Sequence, residues 1–141
     1  MLKTKSIDIQ AIDHIVIRAH NLSRMTAFYC DVLGCEVERK SDKYKLVQLR
    51  AGKSLIDLME VSDTDDDGDR ALHSSTAHNM DHFCVQIAPW NEKALQDHLN
   101  LHSVKFGKFG NRYGALGEVP ALYLSDPEGN TVELMGPPDH E

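Results

Sequence analysis

The chain has 141 residues, 41% of them hydrophobic, enough to bury roughly two thirds of the unfolded surface around one core. Its 22 Asp and Glu against 15 Lys and Arg give a formal charge of −7, which speaks against nucleic acid and anionic membrane as partners. No signal-peptide core follows Lys3 and Lys5, and no run of about eighteen apolar residues occurs. Cys30, Cys35 and Cys84 lack metal-ligand spacing. The expectation is a single cytoplasmic domain, 1–141, with reduced thiols.

The first apolar run, IDHIVIR at 12–18, is apolar at most positions on both sides, the pattern of a strand covered on both faces. NLSRMTAFYCDVLG follows, with Leu22, Met25, Phe28, Tyr29, Val32 and Leu33 at helical spacing. Asn21 or Ser23 is its N-cap and Gly34 its stop. CEVER, YKLVQLR and SLIDLMEV then read as strands, the last two joined by the turn AGKS. Residues 62–79 have hardly any apolar side chains and read as a solvated linker. Asp63, Asp65, Asp67 and Gly68 match the opening of an EF-hand loop, but Ser74 stands where the bidentate Glu belongs, so calcium is set aside.

MDHFCVQ at 80–86 restarts the pattern. PWNEKALQDHLNLH predicts a helix opened by Pro89, with Leu95, Leu99 and His102 on one face. VKFG, ALYLS and NTVELM are predicted strands, the last two joined by the turn SDPEGN. KFGNRYGALGEVP reads as a glycine-rich loop in which Gly107, Gly110, Gly114 and Gly117 allow motion and Arg112 or Tyr113 reaches a substrate. Each half is therefore strand, helix, three strands: an α+β chain of two βαβββ modules, 8–61 and 80–137, in tandem.

Four positions recur between the halves. His14 in IDHIVI answers to His82 in MDHFCV, and Asp57 in SLIDLM answers to Glu133 in NTVELM. A carboxylate among Ile, Leu, Val and Met needs a partner, since burying it alone costs several kcal/mol. Period-two alternation puts His14 with Ile12, Val16 and Arg18, and His82 with Met80, Cys84 and Gln86. Asp13 and Asp81 are expected to point away from the histidine face, toward turns or strand ends. If the halves are related by a rough two-fold, two imidazoles and two carboxylates converge on one divalent ion such as Ni, Co, Zn, Mn or Fe(II).

The stretches DHIVIRAHNLSRMTAFYCDVLG and LYLSDPEGNTVELMG, on paired βαβββ modules, closely resemble the vicinal oxygen chelate superfamily of glyoxalases, bleomycin-resistance proteins and extradiol dioxygenases. The resemblance implies a curved mixed sheet enclosing a metal site, with His14, Asp57, His82 and Glu133 as ligands. It also implies a homodimer and, through Arg18, a substrate that is a glutathione or other thiol adduct; the matching second arginine is His78 here. The activity so implied is glyoxalase-like, related to lactoylglutathione lyase. An ion binds two vicinal oxygens of a small substrate and stabilises enediolate-like charge while Glu133, with Asp57 as the rival, moves a proton. Two alternatives stand beside it. One is an Fe(II) extradiol-type dioxygenase using His14, His82 and Glu133 with Asp57 off the metal; the other is a metal-free drug-binding protein.

Overall fold

The structure, a computed structural model, describes residues 7–61 and 80–138. The acidic linker with its calcium-like spacing, and His78, lie outside the described residues. The first module runs β1 (His14–Ala19), α1 (Leu22–Ala27), β2 (Glu36–Ser41), β3 (Leu46–Ala51) and β4 (Ser54–Glu60). The second runs β5 (His82–Gln86), α2 (Glu92–Leu101), β6 (Gly110–Gly114), β7 (Gly117–Ser125) and β8 (Thr131–Met135). Each forms a mixed four-stranded sheet, ordered β1-β4-β3-β2 in one and β5-β8-β7-β6 in the other. The outer pairs β1–β4 and β5–β8 are parallel and the rest antiparallel.

Asn21 caps α1 through its Oδ1, which accepts the Arg24 N–H, and the helix passes into a π-helical turn, Phe28–Val32, before Gly34 ends it at φ 79°. The corresponding cap of α2 is Asn91, whose Oδ1 accepts from Ala94 N, so Pro89 precedes the helix rather than opening it. An Asn side chain satisfies an otherwise orphaned N–H, which Pro cannot do. The segment 104–107 is not a strand; within it only Phe106 makes a bridge, to Leu124. The glycine-rich stretch is instead the β6–β7 hairpin. Gly117 sits at φ 95° in its turn, and a Cβ on Gly114 would fall 2.5 Å from Met135 Sδ. These glycines serve a turn and a close approach, not a hinge.

Period two divides each strand between a core face and a site face. Ile17, Ala19, Ile56, Leu58, Val47 and Leu49 from the first sheet join Leu122, Leu124, Val132 and Leu134 from the second in one cluster, with Met25, Phe28, Tyr29 and Leu99 from the helical segments. The opposite faces stay open in places: Val16 is 47% exposed and Cys84 is exposed. The first strands are thus covered on one face, not on both as their apolar content predicts. The two sheets are separate and do not close; the enclosing sheet expected from the sequence is not formed within one chain.

The turn after β7 ties the modules together. Buried Asp126 accepts from Glu128 N and Asn130 N through Oδ1 and from Asn130 Nδ2 through Oδ2. The same Oδ2 takes the hydroxyl of fully buried Tyr29 at 2.8 Å. Burial, with the Asp126 carboxylate beside it, drives that hydroxyl far above its ordinary pKa, so it remains a donor. Glu128 accepts from His20 N and Asn21 N at the start of α1, where carboxylate charge suits the helix N-terminus. His98 of α2 adds an Nε2 contact of 2.8 Å to the Val32 carbonyl.

Candidate metal and substrate site

The backbone delivers the four repeated side chains in two matched pairs. In the first sheet His14 pairs in register with Leu55 and Asp57 with Val16; in the second His82 pairs with Thr131 and Glu133 with Cys84. Parallel pairing and period two put each histidine and its carboxylate on the same site face. His82 Nε2 lies 3.3 Å from Glu133 Oε1. His14 sits close enough to Asp57 for that carboxylate to favour its charged form, although the larger lift comes from its hydrogen bond to Asp13, with desolvation opposing.

Asp13 and Asp81 do not turn away from the histidines. Asp13 Oδ2 is 2.8 Å from His14 Nδ1, and Asp81 Oδ2 is 2.7 Å from His82 Nδ1. Both lie just before their strands, where the alternation rule no longer fixes direction, and each carboxylate swings back to the ring that follows it. An acceptor on Nδ1 holds the proton there and leaves Nε2 to face the carboxylate side, the usual support of a metal-binding imidazole.

The carboxylates themselves are incompletely satisfied. Asp57 and Glu133 are each 4% exposed. Gln48 Nε2 donates to Asp57 Oδ2 at 3.1 Å, but buried Asp57 Oδ1 and Glu133 Oε2 have no hydrogen-bond partner among the described residues. Leaving a buried charged acceptor unmatched costs about 1–3 kcal/mol or more. The same unmatched oxygen recurs at equivalent positions, where a cation would satisfy both. With the imidazoles this is a nitrogen and oxygen donor set suited to a borderline divalent ion, and the residues fit one.

The two pairs do not meet within this chain. Among the described residues no three His, Cys, Asp or Glu side chains come together as a metal-binding group. His14 with Asp57 and His82 with Glu133 are two half-sites, one per sheet. Arg18 lies on the His14 face, opposite Met59. Arg112, opposite Val119 on β6, shares the site face of the second sheet, and its guanidinium lies 4.6 Å from the centre of the Tyr123 ring. Tyr113, its neighbour, alternates to the other side and is 84% exposed, away from the half-site.

Sequence reasoning passed over Gln48 and Tyr123, which stand opposite Asp57 and Glu133 across the adjoining strands. The two-residue turn at Gly52-Lys53 pairs Ala51 with Ser54 and so fixes Gln48 against Asp57; hairpin register was the available signal. Tyr123 packs edge-on to His82 with centroids 5.1 Å apart. Burial first, and the Glu133 charge second, raise the Cys84 thiol to about 11.

This combination of paired βαβββ sheets with a His and a carboxylate on each defines a class that the comparisons with known proteins also identify. The pattern of the glyoxalase/bleomycin resistance protein/dioxygenase superfamily matches residues 11–134, and the chain belongs to that superfamily. Among curated proteins it is 27% identical over 125 residues to a catechol-2,3-dioxygenase of Bacillus subtilis, covering 87% of this chain but 40% of the relative. It is 25% identical to virulence protein STM3117 of Salmonella typhimurium, covering 89% of this chain and 83% of the relative. Among solved structures it resembles lactoylglutathione lyase from Agrobacterium tumefaciens, with a TM-score of 0.63 and 22% identity over 91% of this chain and 94% of the other; at that identity the likeness bears on fold alone. The chain spans about two fifths of the dioxygenase's length.

Proposed function

We propose that the protein is a metal-dependent, glyoxalase-like enzyme that acts as a homodimer on a small substrate with vicinal oxygens. The observation that carries this reading is the pair of partnerless buried oxygens, Asp57 Oδ1 and Glu133 Oε2, each beside an imidazole held by its preceding aspartate. His14, Asp57, His82 and Glu133 would hold the ion, which when bound supplies positive charge to two substrate oxygens. Glu133 moves the proton: its arm is one methylene longer than that of Asp57, and Gln48 anchors Asp57 but not Glu133. Val119, Ala121 and Met135 form an apolar wall beside it, keeping water from the proton-transfer side.

The half-sites support a dimer. β1 and β5 are both edge strands, and Val16 on the site face of β1 is exposed, as is Met80 just before β5. Joining β1 of one copy to β5 of another would bring the first half-site of one chain to the second half-site of its partner. Mixing variants tests this. His14→Ala and His82→Ala should each lose stoichiometric metal, and subunit exchange between them should restore about a quarter of the sites, since half of randomly formed dimers are mixed and one of their two sites is intact. Full metal content in both single variants, or no recovery on mixing, would overturn the dimeric site.

One observation favours a second reading. Gln48 already holds Asp57, as a dioxygenase would need if His14, His82 and Glu133 alone bound Fe(II), and a catechol-2,3-dioxygenase is among the relatives. Oxygen uptake by the iron-loaded protein with catechol would establish it.

A further inference from the structure

Arg112 carries an unmet demand of its own. The guanidinium presents five donors, yet among the described residues no acceptor meets the buried Nη1, while the residue as a whole remains partly exposed. It rests over the Tyr123 ring at 4.6 Å, and its Nη2 passes beside Gly110, 3.9 Å from where a Cβ would stand. On this face Ala121 falls between Val119, opposite Arg112, and Tyr123, opposite Glu133. A residue that small leaves the arginine room to reach along the strand to the ring. Glu133 could neutralise the guanidinium but keeps Oε2 without a partner, so the two opposite charges stand apart on one face, with Tyr123 packed against both Arg112 and His82.

We propose that Arg112 is the seat of a carboxylate on the substrate, so that the substrate class is a small organic acid bearing vicinal oxygens at the end remote from its carboxylate. This rests on the reading of the half-site as a metal site. The planar guanidinium fork, seated over the Tyr123 ring, can offer an edge that a planar carboxylate matches with two parallel hydrogen bonds. A phosphate would call for further cations, and among the described strand residues that share this face there is no second Lys or Arg. Two steps, 4.6 Å from guanidinium to the Tyr123 ring and 5.1 Å from that ring to His82, put an upper bound on the distance from the seat to the histidine, within the reach of a single ring or short chain. Val119, Ala121 and Met135 would pack against its apolar body.

Two probe experiments separate the seat from the metal. In the metal-free protein, benzoate is titrated while the Arg112 Nε–H signal is followed by NMR. A saturable shift is expected in the native chain, a weaker affinity in Arg112→Lys, which keeps charge without the fork, and no saturable binding in Arg112→Met. An Arg112 signal that stays fixed throughout the titration overturns the proposal. In the cobalt-loaded protein, 3,4-dihydroxybenzoate and catechol offer the same vicinal oxygens and differ by one carboxylate. The acid should bind about 10–100-fold more tightly, the scale of one paired charged contact, and the preference should vanish in Arg112→Met. Equal affinities in the native protein, or a preference that survives Arg112→Met, would also overturn it. If benzoate binds Arg112 but catechol fails to bind the cobalt-loaded protein, the metal reading falls and the carboxylate seat stands.

Discussion

Asp57 and Glu133 occupy matching places in matching sheets, each on the strand beside an Asp-His pair, yet their surroundings differ in kind. Asp57 has an amide partner, Gln48, and a histidine that is 45% exposed at the side chain. Glu133 faces its histidine at 3.3 Å, across a ring packed between Tyr123 and Asp81, with Arg112 and Cys84 on the same face. A repeated backbone therefore fixes where donors go but not what each does. On the proposed reading the first half holds and the second reacts, because Glu133 lacks the amide partner that Asp57 has and stands on one face with Arg112 and Tyr123.

The largest test of that contrast exchanges each carboxylate for its amide. Glu133→Gln keeps an oxygen for the ion but takes no proton, so turnover should fall by about two to four orders of magnitude with metal retained. Asp57→Asn should instead weaken metal binding and slow the saturated enzyme much less. Metal affinity by competition with a chelator, beside turnover at saturating metal, gives both numbers. A fully metallated Glu133→Gln enzyme working at the native rate while Asp57→Asn is dead would exchange the roles.

The aspartates before the histidines give a smaller and sharper comparison. His82 is braced by Asp81, by the Tyr123 edge and by Glu133, whereas His14, the more exposed of the two, is held at Nδ1 by Asp13. Removing a carboxylate behind a ligand imidazole typically costs about 10–100-fold in metal affinity. Asp13→Ala should fall at the upper end of that range and Asp81→Ala at the lower. The reverse order, measured by zinc competition, would mean that the second half-site depends more on its aspartate than its packing suggests.

How much of this was legible in the sequence follows the physics of each part. Alternation placed His14, Asp57, His82 and Glu133 on their faces because period two is a backbone property, and the repeat of Asp-His marked the two strands that begin the modules. It could not place Asp13 and Asp81, which lie outside the regular strands, nor find β6, whose Gly-Asn-Arg-Tyr-Gly has only Tyr113 to favour a strand and is held by pairing to β7. Tyr113 seemed as good a substrate contact as Arg112 while the segment read as a loop; once it is a strand, the two must face opposite ways. Whether half-sites join within or between chains is a tertiary fact that no local pattern encodes.

The turns after β3 and β7 allow a last comparison, since both precede the carboxylate strand of their module but only one reaches across to the other. Gly52-Lys53 closes a hairpin at the surface, and the Lys53 backbone carbonyl accepts from Arg50. Asp126 and Glu128 instead bind Tyr29 and the backbone at the start of α1. Tyr29→Phe removes one buried donor while Asp126 keeps three others from its own turn, so unfolding free energy should drop by about 1–2 kcal/mol. Glu128→Gln leaves one oxygen where two backbone N–H groups had two and removes charge from the helix start, a loss of about 0.5–1 kcal/mol. Lys53→Ala alters no contact that its backbone makes and should stay within about 0.5 kcal/mol of the native value. Urea unfolding at one fixed protein concentration ranks the three, because the apparent stability of the proposed dimer would depend on concentration. If Tyr29→Phe matched Lys53→Ala, the second turn would be no more a tie between modules than the first.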